Sequence, residues 1–194
     1  MSSNIYEPTE AKLRLRLSEG SFAHCRQTAS TAKELARRHG QDTDLCALTG
    51  LVHDVASDMS DAELLEAASD LDLAVGAAER KQPYLLHAAV GAGILTDRFG
   101  IEDDRVARAV ERHTFGASHM SEMEMIVFLA DMIEPSRRFP GVEELRALAA
   151  CDLRAAYTTG FQRQLLSLIE MGRFLHPRTI EAWNGIAEEV RERA

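Results

Sequence analysis

Residues 48–56 read Leu48-Thr49-Gly50-Leu51-Val52-His53-Asp54-Val55-Ala56, an apolar run of small residues that closes on a histidine and an aspartate side by side. Burying such a pair without partners is costly, so something must compensate, and a metal ion is the natural candidate. Neighbouring residues on a helix point about 100° apart. His53 and Asp54 therefore share a site only if other helices bring ligands to the same point, or if the carboxylate bridges two ions.

On either side of this stretch nearly every segment carries a helical period, and no period-2 run appears. Thr9 is read as the cap of a first helix that runs to Leu17. A second spans residues 21–39 and stops at Gly40, and Asp42 caps a third that ends near Asp54. Ser60 to Glu63 has capping-box spacing and opens a short acidic helix; residues 70–82 read as a loop with a helical turn. After Pro83 one helix carries His87 and ends at Gly100, and another leads from about Asp103 to His113. Ser121 to Glu124 is a second capping box, and the helix it starts is stopped at Glu134-Pro135. Residues 142–150, 152–175 and 178–193 give three more helices, with His176-Pro177 as the break. The expected architecture is all-α, a single-domain helical bundle over residues 1–194 with its core at about residues 10–185.

Totals narrow the function classes. A chain of 194 residues buries a real core. With 45% hydrophobic and 27% charged residues, it has no run near the roughly 18 apolar residues of a membrane span. Residues 1–4 lack a signal-peptide pattern, and a cytoplasmic location is expected. Cys25, Cys46 and Cys151 lack Cys-x-x-Cys spacing and are read as reduced core residues. A formal charge of −9 argues against binding a nucleic acid polymer or an anionic membrane. An anionic substrate would need metal ions and a few placed arginines.

Four further ligand types lie inside apolar helices: His24, His87, His113 and Asp131, each on a different segment. A carboxylate within residues 126–133 is the most telling, because buried aspartates are almost always paired. Four histidines and two aspartates exceed one tetrahedral ion and suit two, with mixed nitrogen and oxygen ligation favouring iron, manganese, cobalt or similar metals. His39 fits a helix C-terminus, His119 a polar loop and His176 a pre-proline position.

The order His24, His53-Asp54, His87, His113, Asp131 resembles the HD-domain phosphohydrolase superfamily. The segments Gly50-Leu51-Val52-His53-Asp54, Pro83-Tyr84-Leu85-Leu86-His87-Ala88-Ala89-Val90-Gly91-Ala92, His113-Thr114-Phe115-Gly116 and residues 130–142 resemble the symmetrical bis(5'-nucleosyl)-tetraphosphatases, the YqeK-like proteins. That resemblance implies an HD fold, a metal pair of iron type, and hydrolysis of diadenosine tetraphosphate to two ADP by metal-activated water. It implies that His24, His53, Asp54 and Asp131 hold one ion, and that His87 and His113, with Asp54 bridging, hold the other. Asp54, His87 and His113 are the candidate catalytic residues. Arg137 matches the arginine expected on phosphate; Arg138 is a second candidate cation, and Thr114 offers a hydroxyl either to phosphate or to a turn. Two positions depart from the family, Ser57 for its usual lysine and Ser21 for its usual arginine. Competing readings are a nucleotidase or pyrophosphatase acting on mononucleotides, and a weakly catalytic, metal-containing nucleotide-binding regulatory module. A homodimer through the apolar helix around Phe161 to Leu166 is a further expectation.

Overall fold

The computed structural model describes residues 5–193. Residues 1–4, expected to lack a leader pattern, and residue 194 lie outside it. Among the described residues there are twelve α-helices, one short 3-10 turn and no strand, as the periodicity requires. In chain order they are α1 (Tyr6–Arg16), α2 (Glu19–Arg38), α3 (Thr43–Val52), α4 (Asp61–Asp70), α5 (Ala77–Lys81), the 3-10 turn Pro83–Leu86, α6 (His87–Gly93), α7 (Leu95–Phe99), α8 (Asp104–Arg112), α9 (Glu122–Ile133), α10 (Val142–Cys151), α11 (Leu153–Glu170) and α12 (Pro177–Arg193).

Helix α9 lies at the centre. Residues 123–130 and Ile133 are all buried, and a helix that is apolar all round needs neighbours all round. Helices α2, α3, α8, α10 and α11 supply them. The expected capping box is present at its start, with the Ser121 hydroxyl accepting from the Glu124 amide and the Glu124 carboxylate accepting from the Ser121 amide.

Helix α2 buries Cys25, Thr28, Ala29, Ala32, Leu35 and Ala36. This stripe of small residues at helical spacing lets α3 approach closely. Gly50 marks the contact, because a Cβ there would stand 3.0 Å from Ala29 Cα and 3.1 Å from both Ala29 N and the Thr28 carbonyl carbon. These are backbone atoms and do not yield as a flexible side chain does. Gly50→Ala is therefore expected to force α3 off α2 and to lower stability by about 1–3 kcal/mol, the usual cost of overpacking. Urea unfolding measures it, and an unchanged midpoint would mean that the two helices have slack.

Several boundaries differ from the sequence reading. Thr9 is not a cap but a buried residue inside α1, which begins at Tyr6 after Ile5; Pro8 is tolerated because the first turn needs no amide there. Helix α2 starts two residues early, capped by Ser18 rather than broken by it. The helix expected from Pro83 to Gly100 is three pieces. Pro83 begins the 3-10 turn, α6 ends at Gly93, and α7 ends on Gly100 with φ at +69°, a left-handed cap suited to glycine. Helix α11 stops at Glu170 instead of residue 175, with Gly172 also at positive φ. Cys25 and Cys46 are buried as expected, but Cys151, the last residue of α10, is exposed.

Candidate metal centre

Six residues from five helical segments meet at one point. His24 comes from the second turn of α2 and Asp131 from the last turn of α9. His53 is the C-cap of α3, Asp54 follows it, His87 opens α6, and His113 is the C-cap of α8. The carboxyl ends of α3 and α8 thus face the cluster with their partial negative charge, an arrangement that favours a cation.

Each imidazole is oriented by a local rule. His53 Nδ1 lies 2.8 Å from the Gly50 carbonyl, His87 Nδ1 2.6 Å from that of Tyr84 and His113 Nδ1 2.7 Å from that of Val110. All three donate to the carbonyl three residues back, which for α3 and α8 satisfies an orphan acceptor of the last turn. His24 Nδ1 instead donates to the Glu134 carboxylate at 3.2 Å. With every Nδ1 proton committed, each ring in its neutral form turns an Nε2 lone pair inward.

Those lone pairs converge. His24 Nε2 and His53 Nε2 are 3.2 Å apart, and His87 Nε2 and His113 Nε2 are 3.3 Å apart. Facing acceptors repel unless a cation or a proton lies between them. Asp54 is shared between the pairs: its Oδ1 is 3.4 Å from His87 Nε2 and 3.3 Å from His113 Nε2, while its Oδ2 is 3.7 Å from His53 Nε2 and 4.0 Å from His24 Nε2. Asp131 Oδ1 completes the first group, 3.0 Å from His24 and 3.8 Å from His53. The donor set fits two cations bridged by one carboxylate.

The electrostatics agree. Burial works to raise the Asp54 pKa, but the charges of His53, His113 and His87 and a hydrogen bond from His113 hold it well below the usual carboxylate range. Asp131 is likewise held low, against burial, by His24, His53 and Arg137. Burial lowers His53, and it takes His87 to about 4 with help from the charge of His113. Burial also opposes protonation of His24 and His113, yet hydrogen bonds with Asp131 and with Asp54, respectively, raise both on balance. His53, His87 and His113 are buried, whereas His24, Asp54 and Asp131 keep part of their surface, so the cluster opens on one side.

Around the mouth, Arg137 donates through Nη2 to Asp131 Oδ1 at 2.5 Å and through Nε to the Asp131 carbonyl at 2.9 Å. Thr114 Oγ1 lies 3.1 Å from His87 Nε2 and 3.2 Å from His113 Nε2, which puts its hydroxyl at the cluster. Arg138 is exposed and ties its Nη1 to the carbonyls of Pro135 and Arg137. Ser57 Oγ donates to the Asp54 carbonyl at 2.8 Å, and Ser21 Oγ donates to Asp58 at 2.6 Å. These two positions thus fasten local structure and bring no charge of their own.

On sequence alone Glu134 reads only as a helix stop. It is a fully buried carboxylate that accepts from His24 Nδ1, from the Ser136 amide at 2.6 Å and from the Ser136 hydroxyl. Burial would raise its pKa, but the hydrogen bonds from Ser136 and His24 lower it. Only a weak signal marks it in the sequence, an acidic residue three places after Asp131. Partners of this kind fix ligand orientation and basicity, and their loss typically weakens metal binding by about 10–100-fold. Glu134→Gln should show a loss of that size in competition with a chelator; unchanged affinity would reduce Glu134 to a loop fastener.

Comparison with known proteins agrees with this geometry. Residues 21–136 match the HD domain family. The symmetrical bis(5'-nucleosyl)-tetraphosphatase of Halalkalibacterium halodurans is 34% identical over 89% of this chain and 92% of its own length. The Bacillus subtilis enzyme of the same name is 30% identical over 92% and 95%. Among solved structures, one described as a predicted HD superfamily hydrolase involved in NAD metabolism, from Clostridium acetobutylicum, superposes with a TM-score of 0.90 at 35% identity, covering 95% of this chain and 97% of its own.

Proposed function

The chain belongs to the HD-domain family and, within it, to the symmetrical bis(5'-nucleosyl)-tetraphosphatases, and we propose that it hydrolyses diadenosine tetraphosphate in the middle of the polyphosphate, releasing two ADP. The division of Asp54 between two imidazole pairs supports this most strongly.

His24, His53, Asp131 and one oxygen of Asp54 are the proposed ligands of one ion; His87, His113 and the other oxygen of Asp54 are those of the second. Two divalent cations so held supply Lewis acidity, lowering the pKa of water towards neutrality and neutralising phosphoryl charge. The protein's own part is positional. Asp54 fixes the spacing of the two groups, and the backbone-tied rings leave their Nε2 atoms no freedom to turn away. A polyphosphate laid across the cluster meets the Thr114 hydroxyl at the His87–His113 end and the Arg137 guanidinium at the His24–Asp131 end. The Arg137 fork suits bidentate contact with a phosphate. No nucleophilic side chain is required. Imidazole and carboxylate donors without thiolate suit iron, manganese or cobalt, and we favour iron.

We further read residues 1–194 as one domain with its core at about residues 10–185, place the enzyme in the cytoplasm with its nucleotide substrate, and propose a homodimer through the helix around Phe161 to Leu166, of which Phe161 itself is buried in the core and Leu166, with Ile169 beyond it, is exposed. No helix among the described residues is long and apolar enough to cross a membrane.

Product analysis tests the activity. Purified protein incubated with diadenosine tetraphosphate should yield ADP as the sole nucleotide product. ATP with AMP, or preferential hydrolysis of mononucleotides, would overturn the symmetrical reading.

A further inference from the structure

Tyr84 is a large aromatic that the core does not use. Half of its surface is exposed, 51%, yet its ring is held: it stacks on His87 with centroids 4.5 Å apart and planes 25° from parallel. The backbone beneath is fixed too. Buried Pro83 and buried Leu86 lie in the same 3-10 turn, and the Tyr84 carbonyl accepts a hydrogen bond from His87 Nδ1. One residue therefore orients a ligand of the cluster through its main chain and covers that ligand with its side chain.

Burial first, then the carboxylates of Asp54, Asp131 and Asp58, push the phenol up to about 12, while Arg137 acts in the opposite direction. The ring lies face to face with His87, whose Nε2 is 3.1 Å from the Thr114 hydroxyl and 3.4 Å from Asp54 Oδ1, so it stands at the His87 end of the cluster. Among the described residues none accepts a hydrogen bond from this hydroxyl. Asp54 and Asp131 are already turned towards imidazoles.

We propose that Tyr84 is a substrate-contacting residue whose hydroxyl donates a hydrogen bond to a phosphate oxygen of the polyphosphate, adding a third side-chain donor to those of Thr114 and Arg137. The proposal rests on the hydrolase reading and deepens it. A phenol carries a proton but no positive charge, so it holds a phosphate oxygen without repelling the cations beneath. Its position beside His87 places this contact over the second ion group, opposite Arg137.

Tyr84→Phe keeps the ring and its stacking and removes only the donor. With metal-loaded protein, pyrophosphate and ADP affinities are measured by calorimetry, together with kcat/KM on diadenosine tetraphosphate and metal content. Loss of one hydrogen bond to a charged group predicts that all three functional quantities fall by about tenfold or more, with metal content unchanged and Tyr84→Ala little worse. Unchanged affinities in Tyr84→Phe overturn the proposal. If they collapse only in Tyr84→Ala, the ring and not the hydroxyl makes the contact, which also overturns it. A fall in metal content in Tyr84→Phe would show a purely structural role and overturn it equally. If wild type binds pyrophosphate without cleaving the dinucleotide, the hydrolase reading fails, while Tyr84 is still judged by the change in pyrophosphate affinity.

Discussion

Asp54→Ala is expected to lower kcat/KM on diadenosine tetraphosphate by about three orders of magnitude, roughly 4 kcal/mol of transition-state stabilisation. The size follows from position. His24, His87 and His113 each face one ion group, whereas the two oxygens of Asp54 reach imidazoles of both. Removing it weakens both groups at once, because each loses a negatively charged donor to its cation. A single change such as His87→Ala should therefore cost less. The helices should survive, because Asp54 lies in the turn after α3 and its side-chain carboxylate faces the cluster histidines. Steady-state kinetics beside far-ultraviolet circular dichroism checks this. Near-normal turnover in a folded Asp54→Ala protein would mean that the carboxylate does not bridge.

Removing the metal should have the second-largest effect, because it acts on fold and chemistry together. An ion at a thousand times its Kd stabilises the folded chain by about 4 kcal/mol. At about 2–4 °C per kcal/mol for a chain of this size, chelation should lower Tm by roughly 10 °C and abolish hydrolysis; manganese, cobalt or iron should restore both. Protons compete for the same nitrogens. His24 and His113 are raised above the ordinary imidazole range by Asp131 and Asp54, so both hold protons to higher pH than a free histidine. Ion uptake must displace those protons, and affinity should fall as pH drops through neutrality. Calorimetry in buffers of different ionisation enthalpy measures the protons released. A Tm and an activity both indifferent to chelation would contradict a metal centre.

Much of the site was legible because a polar ligand inside an apolar helix is conspicuous. Asp131 within residues 126–133 and His53-Asp54 at the end of a small-residue run stand out against their neighbours, and the structure brings all six candidate residues together. Glu134 was not legible in the same way, since a glutamate before a proline is explained well enough by helix termination. Its burial is a tertiary fact, set by α2 presenting His24 and by the loop returning Ser136. Tyr84 was hidden for a similar reason. Nothing local says that the turn after Pro83 is a 3-10 turn, and only that geometry lays the ring on His87.

Helix existence was read better than helix ends. The capping boxes at Ser60 and Ser121 fixed their starts because the pairing is local. The breaks at Gly93 and Glu170 were missed because alanine and leucine on both sides continue the period, and the breaks arise where packing turns the chain. Thr9 misled because a threonine before polar residues looks like a cap, whereas its burial against the core rewards a place inside the helix.

Counting ions tests most directly whether Asp54 joins two ion sites in one centre. Protein purified without chelator, loaded with manganese or iron and freed of excess by gel filtration, should carry about two equivalents per chain by elemental analysis, the number that a bridging carboxylate between two ligand groups implies. One equivalent at saturation, or none, would contradict it.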